Sequence, residues 1–156
     1  MNREVLFEVI NQEGLEPNSE IGVLREVMRC VALRKNFDTK TMKKFGELTS
    51  KAYQHRRLQP SATDIGFEFV GLAPAARKIS ELALLVEDLL VTTDLGRIKE
   101  CEGEDCNQLF FDESKNKSKK WCDMGQCGML RKSKVYYDKH RRVKPLNNPK
   151  SKNGVQ

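Results

Sequence analysis

Four cysteines within 27 residues constrain this chain more than any other feature. They follow the spacing Cys101-x4-Cys106-x15-Cys122-x4-Cys127. Two close thiol pairs joined by a connection of about 15 residues can converge on one tetrahedral Zn2+ with Zn–S bonds near 2.3 Å. An odd total of five cysteines, four of them clustered, is poor material for a disulfide framework. The competing reading is a set of free or redox-active thiols. A catalytic ion is disfavoured, because four thiolates leave no open position and neither His55 nor His140 has ligand-like spacing. We expect one structural zinc per chain, held by Cys101, Cys106, Cys122 and Cys127. The fifth cysteine, Cys30, stands apart in LREVMRCVALRKNF and reads as a small buried hydrophobe.

The flanks specify how the two pairs are delivered. RIKECEGEDCNQLFFD reads as strand, tight turn, strand, so Cys101 and Cys106 fall at a hairpin knuckle. Cys122 and Cys127 precede a helix over CGMLRKSKVYYDKHRR, where free N–H groups and the helix dipole stabilise thiolates. Knuckle, hairpin and helix predict a treble-clef-like module over 97–144. Within it, Phe110 and Phe111 alternate faces, and one of them is expected to anchor a small core. Trp121 is expected to pack against the hairpin. Asp112, Ser114 and Asn116 are expected to close the connection through local side-chain-to-backbone bonds.

Upstream, residues 1–96 read as a separate helical domain with a β-hairpin, which makes the whole chain mainly α, of α+β class. VLFEVI fits either a strand or a short helix. Asn18 or Ser19 caps a helix whose apolar face runs Ile21, Leu24, Val27, Met28 and Val31. Asp38 or Thr39 caps the next, with Met42, Phe45, Leu48, Ala52 and Tyr53 at helical spacing. A hairpin follows over about 57–72, and Pro74 opens the most amphipathic helix, through Ile79, Leu82, Val86 and Leu89. Residues 145–156, PLNNPKSKNGVQ, lack apolar periodicity and predict a disordered basic tail. No apolar run approaches the ~18 residues of a membrane span, and the start has acids within its apolar stretch, so a cytoplasmic protein is expected. The small module should draw most of its folding energy from metal, so chelation is expected to unfold the C-terminal third before the body.

Charge divides the chain. Residues 114–156 carry 13 Lys and Arg against 2 acids, whereas residues 1–113 carry 15 against 20. Zinc would gather the runs KNKSKK, RKSK and KHRR, so the basic end is expected to meet a polyanion. The alternative is a zinc-stabilised protein-interaction module whose basic face binds an acidic partner. No paired nucleophile and base, phosphate-cradling loop or metalloprotease helix is present, and an enzyme is not expected. The acidic body allows a homo-oligomer contact or a small-molecule effector, and the sequence names neither.

Phe110, Asp112, Ser114, Asn116, Lys119, Lys120, Trp121, Cys122, Met124, Cys127, Gly128 and Lys132 stand in the order F-x-D-x-S-x-N, two basic residues, W-C-x-M-x-x-C-G and a helical Lys. This pattern resembles the CGNR zinc-finger family, densely over about 97–142. Upstream, LREVMR, the helix–hairpin–helix order and the run into RIKEC are similar to that family's N-terminal ABATE domain. The resemblance implies a transcription regulator whose zinc module binds DNA. On that basis Arg131 and Lys132, near the helix start, would contact bases or phosphates. Lys119, Lys120, Lys134, Arg141 and Arg142 would contact phosphates and position without specifying. One departure stands out: Cys127-Gly128-Met129-Leu130 occupies the place of Cys-Gly-Asn-Arg.

Overall fold

The computed structural model, which describes residues 3–60 and 65–141, begins with the segment that sequence left ambiguous. VLFEVI is helical: α1 spans Arg3–Ile10 and buries Leu6, Val9 and Ile10, which lie three and four residues apart on one face. Helix α2, Glu20–Ala32, starts at Ser19, whose hydroxyl accepts from Gly22 N–H at 3.0 Å. No larger residue fits at Gly22, because a Cβ there would lie 2.2 Å from the Glu16 carbonyl oxygen. Helix α3, Thr39–His55, starts at Asp38, whose carboxylate accepts from Thr41 N–H at 3.0 Å. It buries Phe45, Thr49 and Ala52. Tyr53, expected on that face, is exposed and donates to the Glu87 carboxylate at 2.6 Å. One antiparallel hairpin pairs β1, Arg56–Pro60, with β2, Ile65–Phe69, setting Leu58 opposite Phe67. Helix α4, Pro74–Thr92, has proline in its first turn and buries Leu82, Ala83, Val86 and Leu89.

Asp94 then caps a single 3-10 turn, Leu95–Arg97, that feeds a second antiparallel hairpin: β3, Ile98–Glu100, and β4, Leu109–Phe111. A π-type turn, Met124–Gly128, runs directly into α5, Met129–Arg141. Two hairpins and five helices, among the described residues, give the expected α+β class.

The second hairpin lies inside the main core. Ile98 and Leu109 are buried in the same apolar cluster as Leu6, Leu24, Val27 and Leu82, and Phe111 packs against it. Arg3 covers the Phe111 ring at 4.5 Å. Polar bonds reinforce this junction. The Asn11 side-chain amide pairs with the Leu109 backbone in both directions at 2.8 Å, as a neighbouring strand would. Arg29 meets Glu100 at 3.1 Å, and Arg25 donates to the Asn107 carbonyl at 3.2 Å. Helices α1 and α2 therefore pack on β4 and β3. Arg142 and the expected tail over 145–156 lie outside the described residues.

Candidate metal centre

Strand β3 ends at Glu100, and the chain turns through Cys101 and Cys106 before returning as β4. Backbone bonds set this knuckle: Cys101 N–H donates to Gln108 O at 2.9 Å and Cys106 N–H to Gly103 O at 3.1 Å. Glu102 N–H donates to Lys120 O at 3.0 Å, which draws in the segment carrying Cys122. Asp123 then caps the π-type turn by accepting from Gln126 N–H at 2.7 Å, and Cys127 sits within that turn.

All four sulfurs lie within 4.8 Å of one another. Cys106 Sγ and Cys122 Sγ are 3.7 Å apart, and Cys122 Sγ and Cys127 Sγ 3.8 Å. These separations far exceed a disulfide bond of about 2.05 Å. They match the edge of a tetrahedron built on bonds of about 2.3 Å, which is roughly 3.8 Å. Cys122 N–H also donates to Cys101 Sγ at 3.3 Å. Burial opposes ionisation of Cys101, but bonds from the Cys122 and Gly103 backbone and from the Cys106 and Cys122 thiols outweigh it and lower its pKa. Burial first, then the sulfur neighbours, push Cys122 up, and burial also raises Cys127. Clustered thiols therefore cannot ionise together unaided, and a bound divalent cation resolves the conflict. Donor type, number and spacing fit one structural zinc ion held by Cys101, Cys106, Cys122 and Cys127.

A buried carboxylate braces the connection between the two pairs. Asp112 is 0% exposed. Its Oδ1 accepts from Ser114 N–H at 2.9 Å, and its Oδ2 from Lys119 N–H at 2.9 Å and from Lys99 Nζ at 2.6 Å. Lys99 Nζ also donates to the Lys117 carbonyl at 2.5 Å and the Lys119 carbonyl at 3.0 Å. Burial raises the Asp112 pKa, but the Lys99 and Ser114 bonds prevail and hold it well below the carboxylate range. Arg97 adds bonds to the Asp112 and Ser114 carbonyls at 2.7 and 2.9 Å. Ser114 Oγ accepts from Ser118 N–H at 3.1 Å. Asp112 and Ser114 thus close the loop as their sequence suggests. Lys99 and Arg97 had no local signal, because their role depends on the register of β3 against β4.

The aromatic residues divide as strand alternation requires. Phe111 faces the main core, while Phe110 is buried on the opposite side, with Lys119 Nζ 5.3 Å from its ring centre. Trp121 is half-buried, and its Nε1 is buried with no hydrogen-bond partner among the described residues.

The cationic candidates are unequally placed. Lys120 pairs with Glu102 at 3.3 Å. Arg131 and Lys134 converge on Glu104, Arg131 at 3.3 Å. Lys132 and Arg141 make no ion pair with any described residue, and neither does Lys139, which sequence reasoning did not single out. Every residue of α5 is exposed. A cleft of about 420 Å³ separates the knuckle from the helix, lined by Gly103, Glu104, Leu130, Arg131 and Lys134.

Hairpin knuckle, four-cysteine cluster, metal turn and following helix define a zinc-finger module of treble-clef-like order. Within that class it is similar to the CGNR zinc finger: residues 97–140 match that family's model. The match leaves α1 to α4 outside it. No curated protein matches the chain.

Proposed function

We propose that this protein is a cytoplasmic, non-enzymatic DNA-binding transcription regulator whose zinc finger presents a basic helix to the duplex. The observation that carries this reading is α5. Its 13 residues are all exposed, and they include Arg131, Lys132, Lys134, Lys139 and Arg141 against the single acid Asp138. A helix with no buried side chain is not there to fill a core. Its charge suits phosphates, and its width suits a major groove of about 12 Å. The metal supplies rigidity and no chemistry, since four thiolates leave it no open coordination position.

Mobility shifts of duplex fragments across a salt series test the proposal. With about five phosphates neutralised, log K should fall against log salt with a slope of about −4 to −5. Chelation should abolish binding. Absence of any complex at low salt, or affinity indifferent to salt, would refute it. Exposed Met129, Leu130 and Tyr137 on the same helix favour a second reading, a zinc-stabilised module that binds an acidic protein. Capture of an acidic polypeptide without DNA binding would establish that reading instead.

A further inference from the structure

We propose that α5 meets the DNA duplex with the face formed by Lys132, Tyr136, Lys139 and His140, while Arg131 and Lys134 remain paired to Glu104 on the opposite side. This rests on the DNA-binding reading and deepens it by assigning the contact surface.

The two sides of α5 differ in what surrounds them. At about 100° per residue, Arg131, Lys134 and Asp138 fall within one sector, and Lys132, Tyr136, Lys139 and His140 within the roughly opposite one. On the first side Glu104 accepts from both Arg131 and Lys134. Hydrogen bonding and the charge of Glu104, followed by Asp138, raise the Lys134 pKa, so the acids near this helix gather there. Arg131 and Lys134 are thus balanced by Glu104 and Asp138, which leaves Arg141, at the last residue of the helix, as the one uncompensated cation toward that side among the described residues.

Charge balance on the other side is different. Met129, Lys132, Ser133, Tyr136, Lys139 and His140 include no acid, and neither lysine has an ion-pair partner among the described residues. Tyr136 and His140 stack with ring centres 3.9 Å apart and planes inclined by 28°. His140 Nδ1 is also 2.8 Å from the Tyr136 carbonyl oxygen. The stack sets a flat polar surface beside two unpaired cations. Lys132 and Lys139 are seven residues apart, about 10 Å along the axis, so they reach separate phosphates. Ser133 and Tyr136 add hydroxyl donors suited to phosphate oxygens.

The Glu104 bridges hold Arg131 and Lys134 on the side away from the proposed face. Apart from the metal turn, the side-chain bonds of α5 to the rest of the molecule are those two, among the described residues. They would be lost if Arg131 and Lys134 turned to phosphates.

The test uses the full zinc-loaded chain and a random-sequence DNA duplex, with anisotropy titrations at several salt concentrations. One variant combines Lys132→Gln and Lys139→Gln. The other combines Glu104→Gln, Arg131→Gln and Lys134→Gln, which removes the bridge without stranding a charge. Zinc content and far-UV circular dichroism establish that both retain the metal and helix. The first variant should lose about tenfold or more in affinity, with a salt slope shallower by about 2. The second should stay within about threefold with an unchanged slope. A larger loss in the second variant, or equal effects in both, overturns the face assignment while leaving DNA binding standing. A wild-type protein that binds no duplex at low salt overturns the DNA reading itself.

Discussion

Gly103 sits where three sulfur-bearing side chains approach the backbone. A Cβ added there would lie 3.1 Å from Cys106 Cβ, 3.4 Å from Cys127 Sγ and 3.5 Å from Cys101 Sγ. Elsewhere such crowding relaxes by a few tenths of an ångström, but ligands fixed on one ion cannot all yield. Gly103→Ala should cost about 1–3 kcal/mol of overpacking, hence roughly 5- to 150-fold in zinc affinity. Competition with a chromophoric chelator reads this directly, and unchanged affinity would show that the knuckle shifts freely. Met129 and Leu130 pose the converse case. They occupy the positions where the resembled family has Asn and Arg, and they are 60% and 71% exposed. Their apolar character fills no core, so the departure changes the surface and leaves the packing alone.

At the scale of elements, the 15-residue connection between thiol pairs depends on Asp112. Replacing it with Asn keeps the shape but removes the charge facing Lys99, at a cost of about 1–3 kcal/mol in urea unfolding at pH 7. Since folding lowers the Asp112 pKa, its stabilisation is complete above the ordinary carboxylate range and drains away as pH falls through and below it. Both proteins lose zinc in acid, so the readout is the gap between them, which should narrow below about pH 5. A gap that widens in acid contradicts this role. Local chemistry made many elements legible: Ser19, Asp38 and Pro74 start α2, α3 and α4 where sequence places them. The eight residues of α1 were ambiguous, because a short apolar run with valine and isoleucine suits either period until Leu6, Val9 and Ile10 find a core. The metal ligands were legible from spacing alone. Lys99 and Glu104 were not, since each acts on residues brought near only by the fold.

For the molecule as a whole, the shared core decides how zinc and folding are linked. From composition alone, the C-terminal third should melt first on chelation and leave the helical body intact. Ile98 and Leu109, however, are buried among Leu6, Leu24 and Leu82, and Asn11 binds the Leu109 backbone on both sides. Withdrawing two fully buried aliphatic side chains costs about 1.5–3 kcal/mol each. Together they approach the low end of the roughly 5–15 kcal/mol that stabilises a typical domain. The hairpin that carries the first two ligands cannot dissolve without exposing the body's interior. Urea unfolding should therefore be one transition, and two probes can follow its two ends. Trp121, the sole tryptophan, reports by fluorescence from the zinc finger, whereas α1 to α4 supply most of the helical circular dichroism. With zinc bound the two curves should coincide, and chelation should move both midpoints down together. A fluorescence transition that shifts to lower urea while the helical signal stays in place would mean that the finger unfolds alone, and that the buried hairpin contributes little to the body.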